Sequence, residues 1–261
     1  MTRPTTPLPA LLPAPLPTLL LALLLQQATA AHAGVVAVAV AANFSTTLAA
    51  LAPGFTAATG HTLRVSAGST GKLASQIVAG APFDVLLAAD DDTPQKLIGS
   101  GHAVAGSQIT YATGELVLWS AQPGLVDPQG AVLASGRFNK LAIANPKLAP
   151  YGLAALQVLQ AKGLHNTLAP KLVTGDSIAQ AYQFIVTGNA ALGFVALSQV
   201  LQPGQPIAGS HWRVPANLYS TIRQDAVLLQ PAAQQPAAAA LLAYLQTAAA
   251  KALIQQHGYR P

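Results

Sequence analysis

The feature that most constrains this chain is an alternation of short buried runs with helical patterns. Residues 35–42 form a compact Val/Ala run ending at Asn43, after which Phe44, Leu48, Leu51 and Phe55 recur at helical spacing. Residues 62–67 read as a second strand, Ser69 or Thr70 opens a helix through Ala79, and residues 84–88 form a third, buried strand. Residues 91–98 continue as a helix, with Asp91 and Asp92 at its positive N-terminal end. Units of this kind bury their strands by aligning them in parallel beneath a cover of helices, so the pattern specifies an α/β fold.

A second module starts near Glu115. Residues 116–120 and 141–144 read as strands, 152–162 as a helix, 177–186 as a helix capped by Asp176 or Ser177, and 191–197 as a buried strand. After Pro203-Gly204-Gln205-Pro206 come a final strand at 224–229 and a helix-rich tail at 237–257 that can pack on either module. The division expected is a first lobe at 34–113 and 222–261 and a second lobe at 114–221.

The N-terminus is of a different kind. Arg3 precedes a charge-free apolar stretch ending at Leu25, and the small-residue run 28–33 closes on Ala31-His32-Ala33, the form a signal peptidase reads. Residues 1–33 are therefore expected to be a cleavable signal peptide. The unbroken apolar core at 19–25 is much shorter than the roughly 20 residues that span a bilayer. There is no cysteine in the chain, hence no disulfide framework, thiol nucleophile or lipid-bearing cysteine. An exported chain of this type points to a periplasmic, untethered protein.

Composition excludes several classes. The formal charge of +5 becomes +4 once Arg3 leaves with the signal, and the basic residues are scattered, so no nucleic-acid footprint is present. His32, His61, His102, His165, His211 and His257 lack the paired spacing of metal ligands. Gly68-Ser69-Thr70-Gly71-Lys72 follows a strand, but a P-loop needs Gly and Ser/Thr where this chain has Ser66 and Leu73. Asp90-Asp91-Asp92 lacks the glycine and terminal Glu of a calcium loop.

Three helix beginnings carry small polar residues directly after a buried strand: Asn43-Phe44-Ser45, Gly68-Ser69-Thr70-Gly71 and Asp176-Ser177. Taken one at a time, such residues are ordinary helix caps. Converging on one point, their free N–H groups and helix dipoles would make an anion site at the carboxyl ends of the strands.

Six ordered blocks give this pattern a family. They are Val-Ala-Ala-Asn-Phe at 40–44, Ala-Gly-Ser-Thr-Gly-Lys-Leu at 67–73, Gln76-Ile77 with Ala-Gly-Ala-Pro-Phe-Asp-Val at 79–85, Ala88-Ala89-Asp90, the stretch from Asn145-Pro146 to Pro150-Tyr151-Gly152, and Gly-Asn-Ala-Ala-Leu-Gly-Phe-Val at 188–195. Over nearly all of the mature chain the sequence resembles the periplasmic molybdate-binding proteins of ABC importers. The resemblance implies the two-lobed type 2 periplasmic-binding-protein fold, each lobe a mostly parallel sheet flanked by helices with a ligand cleft between them. It implies a molybdate or tungstate ligand, a membrane permease as partner, a monomer, no catalysis and no resident cofactor.

Carried over residue by residue, the family's ligand contacts fall on Asn43 and Thr70, with Ser69 adjacent, in the first lobe, and on Tyr151 and the backbone N–H of Ile178 in the second. The metal would be met only through its oxygens, with no direct protein–metal bond. Some members place a tyrosine where this chain has Ala196, so the resemblance assigns the second-lobe hydroxyl to Tyr151. Without the resemblance, Tyr151 reads as a packing aromatic. The implied site holds a dianion with neutral donors and helix dipoles, while Lys72 adds long-range positive potential. The rival readings are a binding protein for sulfate, thiosulfate or phosphate, an enzyme on the same fold using Asp84 or Asp90, and the effector domain of a transcription regulator.

Overall fold

The computed structural model describes residues 1–2 and 33–261, so nearly all of the segment read as a signal peptide lies outside the described residues. The chain begins with β1 (Val35–Ala41), a 3-10 turn at Ala42–Phe44 and α1 (Ser45–Thr59). It continues through β2 (Thr62–Gly68), α2 (Thr70–Val78), β3 (Val85–Leu87), α3 (Asp92–Gly99) and β4 (Ile109–Gly114). A second series follows: β5 (Leu116–Ser120), α4 (Val132–Ser135), β6 (Leu141–Ala144), α5 (Pro150–Ala161), α6 (His165–Leu168), β7 (Leu172–Gly175), α7 (Ile178–Val186), β8 (Leu192–Ala196), α8 (Leu197–Val200) and β9 (Ser210–Arg213). The chain closes with β10 (Ile222–Leu228), α9 (Pro236–Leu245) and α10 (Ala248–Gln256).

These strands form two five-stranded sheets, ordered β2-β1-β3-β10-β4 and β7-β6-β8-β5-β9. In each sheet four strands share one direction and one is reversed: β10 in the first and β5 in the second. The chain leaves the first sheet between Gly114 and Leu116 and returns to it through β10, so the reversed strands adjoin the crossings. The protein is therefore two-lobed.

The central strand explains its own composition. On one face of β1, Val36, Val38 and Val40 pack with Phe44, Leu48, Leu51 and Phe55 and with Leu241 and Leu245 of α9. On the other, Ala39 packs with Leu73 and Ile77 of α2 and Leu86. A strand buried on both faces reads as a continuous apolar run rather than an alternation. The tail packs on the first lobe, α9 and α10 both lying against α1. Among the described residues no single helix is long and apolar enough to cross a membrane. The second lobe has its own core around Leu118, Ile143, Val158, Phe194 and Trp212.

Candidate ligand-binding site

The turns at the strand ends of the two lobes face one another across a small cavity. It is lined from the first lobe by Asn43, Gly68, Ser69, Thr70 and Ala89 and from the second by Ala149, Pro150, Tyr151 and Ile178. All five candidates from the sequence, Asn43, Ser69, Thr70, Tyr151 and Ile178, are thus brought together. The cavity volume is about 10 Å³, roughly what one water-sized sphere requires. None of the lining residues carries a charge.

Each polar group there is arranged by its local fold. Ser69 is the residue before α2, in extended conformation, but its side chain makes no capping bond. Its Oγ is the one buried side-chain polar atom without a partner among the described residues. Thr70, 1% exposed, accepts a hydrogen bond at Oγ1 from the Ala89 N–H at 3.0 Å. With its oxygen engaged from behind, its proton is left for the cavity.

Tyr151 stands in the first turn of α5, whose Pro150 opens the helix without losing a needed donor. Its hydroxyl oxygen accepts from Gln224 Nε2 at 3.1 Å, which likewise leaves its proton unengaged. Burial pushes its pKa well above the usual tyrosine value, with Tyr259 and Tyr111 adding to the shift, so the phenol stays protonated. Ile178 begins α7, and the N–H groups of such first turns have no intrahelical acceptor. The starts of α2, α5 and α7 therefore all present partial positive charge to one point.

Asn43 lines the cavity with its side-chain amide already engaged by the protein. It lies in the 3-10 turn, and its Nδ2 donates to Gln224 Oε1 at 2.9 Å and to Tyr259 Oη at 3.1 Å. Both amide hydrogens are engaged, so the side chain braces the site, and what Asn43 can offer the cavity is backbone. Ser177 also differs from Ser69. Its Oγ accepts from the Gln180 N–H at 3.3 Å as an ordinary cap.

Residue reading alone did not bring Gln224, Tyr259 or Ser198 to this place. Gln224 is fully buried on β10, Tyr259 Oη donates to the Asn43 carbonyl at 2.8 Å, and Ser198 Oγ donates to the same carbonyl at 3.0 Å. The only signal available was polarity inside or next to apolar segments. The lobes meet directly through these contacts and through Gly71 N–H donating to the Leu148 carbonyl at 2.9 Å. A Cβ at Gly71 would stand 3.1 Å from that carbonyl oxygen, so glycine permits the approach.

The two aspartates considered for catalysis have structural work. Asp84 Oδ2 accepts from the Ala37 N–H at 2.7 Å and ties β3 to β1. Asp90 Oδ1 accepts from the Thr93 N–H at 2.8 Å, and burial raises its pKa. Among the described residues no cluster of His, Cys, Asp or Glu is arranged to hold a metal ion.

A cavity between two α/β lobes, lined by uncharged residues that include the hydroxyls of Ser69, Thr70 and Tyr151, is the arrangement expected of a two-lobed solute-binding protein. Residues 36–260 match the family model of the bacterial extracellular solute-binding proteins, and the chain belongs to that family. The molybdate-binding protein ModA of Azotobacter vinelandii is 56% identical over 232 residues, 89% of this chain and 92% of that protein. The ModA of Rhodobacter capsulatus is 51% identical over 239 residues, 92% of this chain and 93% of its own length. In structure, the periplasmic molybdate-binding protein of Azotobacter vinelandii superposes with a TM-score of 0.85 at 45% identity, covering 87% of this chain and 99% of that one. A sulfate-binding protein of Mycobacterium tuberculosis, at 17% identity and a TM-score of 0.72 over 88% of this chain and 87% of its own, shares the fold.

Proposed function

We propose that the protein captures a tetrahedral oxyanion, molybdate or tungstate, between its lobes in the periplasm and delivers it to the permease of an ABC importer. It acts as a monomer, without a resident cofactor and without chemistry on the ligand. The observation that carries this reading is the polarity of the cavity. The oxygens of Thr70 and Tyr151 are each engaged from within the protein, Ser69 Oγ has no protein partner, and no lining residue is charged.

Such a surface offers protons and few acceptors. A fully deprotonated dianion can take up every donor, whereas a protonated oxyanion brings a hydrogen that finds no acceptor and is left buried and unpaired. Selection between molybdate and sulfate, equal in charge, then rests on size. The lobes would close over the ligand by hinge motion at the two crossings, the anion favouring the closed arrangement because only there do both sets of donors reach it.

A thermal-shift panel of molybdate, tungstate, sulfate, thiosulfate and phosphate on the protein from Gly34 onward tests the assignment. Molybdate and tungstate should raise the melting temperature most, since a ligand bound only by the folded state stabilises it by mass action. A larger shift with sulfate or phosphate would replace the ligand while keeping the class.

A further inference from the structure

The chemistry of the cavity depends on which way the Tyr151 hydroxyl is polarised, and the structure contains a device that sets it. Tyr259 Oη stands 2.8 Å from the Asn43 carbonyl and 2.9 Å from Ser198 Oγ, which itself donates to that carbonyl, so its single proton goes to one of these two oxygens. Toward the Asn43 side chain, 3.1 Å away, it can then only accept, so the amide must present its NH2. The second hydrogen of that NH2 meets Gln224 at 2.9 Å, which places the Gln224 carbonyl oxygen on this side, where Tyr111 Oη, 3.1 Å away, shares its proton between that oxygen and the Ala88 carbonyl at 2.9 Å. Its Nε2 is thereby turned to Tyr151 Oη at 3.1 Å, and the tyrosine becomes an acceptor toward the protein and a donor toward the cavity.

We infer that Gln224 is a positioning residue for ligand binding: it transmits the hydrogen-bond direction set at Tyr259 and Asn43 in the first lobe to Tyr151 in the second, and so holds the Tyr151 proton toward the anion. This rests on the oxyanion reading above. Two further observations support it. Gln224 is 0% exposed, an arrangement that leaves it no water to turn toward. Gly114, at the crossing between lobes, makes room for the pair: a Cβ there would overlap Tyr151 Oη and stand 2.6 Å from Gln224 Nε2. Its φ does not lie in the left-handed region, so space and not backbone conformation calls for glycine there.

The test is a double-mutant cycle read by calorimetric titration with molybdate, using Gln224→Met, Tyr151→Phe and the double variant, with the ligand-free melting temperature of each measured in parallel. If Gln224 acts through Tyr151, Gln224→Met weakens binding about tenfold in the wild-type background and less than about twofold in Tyr151→Phe. The single variant should also narrow the preference for molybdate over hydrogen phosphate, because a freed Tyr151 can turn its oxygen toward a protonated ligand. A merely structural role would lower the melting temperature without changing that ratio. An equal loss in both backgrounds, or an unchanged ratio, overturns the inference.

Should Gln224→Met not fold, the cycle is read with Gln224→Glu at a pH where the buried acid is neutral and can mimic the amide, and again where it is ionised. Weakened binding on ionisation that persists undiminished in Tyr151→Phe would count against the inference. If the wild-type chain binds sulfate and not molybdate, the ligand assignment fails, and the same cycle run with sulfate still decides the role of Gln224. Binding of no anion at all overturns both.

Discussion

Ser69 and Ser177 occupy equivalent places in the two lobes and do different things. Each is an extended residue immediately before a nine-residue helix, α2 and α7 respectively. Ser177 turns its hydroxyl back to accept from Gln180 N–H and caps its helix. Ser69 leaves its helix uncapped and its Oγ buried without a partner. An unsatisfied buried hydroxyl costs on the order of 1–3 kcal/mol, a cost that a bound anion accepting from it would remove. The residue type therefore says little; which way the side chain turns separates a cap from a hydroxyl left without a protein partner.

The contrast can be broken in order of expected effect. Thr70→Val removes a donor to the anion and also orphans the Ala89 N–H, so molybdate affinity should fall by roughly two orders of magnitude, with some loss of stability, read by calorimetry and thermal melting. Ser69→Ala removes a donor that has no protein partner, so affinity should fall about tenfold while the ligand-free melting temperature holds or rises slightly. Ser177→Ala should show the opposite, a stability loss of about 1 kcal/mol in denaturant unfolding with affinity changed less than about twofold. If the two serine variants behave alike, the distinction between the lobes is wrong.

The smallest effect is an expected absence of change. A free tyrosine loses its proton near pH 10, but burial raises the folded-state pKa of Tyr151 well above that. Because the folded pKa is raised, the contribution of the protonated phenol is fully present below the unfolded value and is lost only as pH rises through the folded one. Molybdate affinity should therefore stay level from about pH 8 to 10, as followed by titration. A decline centred near 10 would mean that Tyr151 is open to solvent.

Much of the fold is legible because its cause is local. The apolar run of β1 and the helical spacing of Phe44, Leu48, Leu51 and Phe55 each follow from burial on a stated face. The strands without a clear sequence pattern, β4, β7 and β9, are all edge strands, one in the first sheet and two in the second, with half-buried or polar residues that give a weak periodicity. The reversed position of β10 was not legible either. It depends on the chain returning from the second lobe, which no local pattern encodes.

For the site, Ser69, Thr70 and Ser177 stand out as polar residues after buried strands, but which of them line the cavity and which caps a helix is set by rotamer and tertiary contact. Tyr151 entered through resemblance alone, since an aromatic after proline is otherwise a packing residue. Gln224 had only its polarity within an apolar strand as a signal, because its partners Asn43, Tyr111 and Tyr151 lie 73 to 181 positions away in the chain. The turn brings Asn43 to the cavity, while Gln224 and Tyr259 take its amide hydrogens, an arrangement no local pattern encodes.

The central claim is that the cavity selects its ligand by offering protons and no charge. The most direct measurement is a calorimetric titration of the wild-type protein with molybdate, alone and against an excess of phosphate, at a pH where phosphate carries one or two protons. The account predicts that molybdate binds and that the phosphate excess leaves its apparent affinity unchanged. Competition by phosphate at comparable concentration would show that the cavity accepts a hydrogen as readily as it donates one, and would contradict the account.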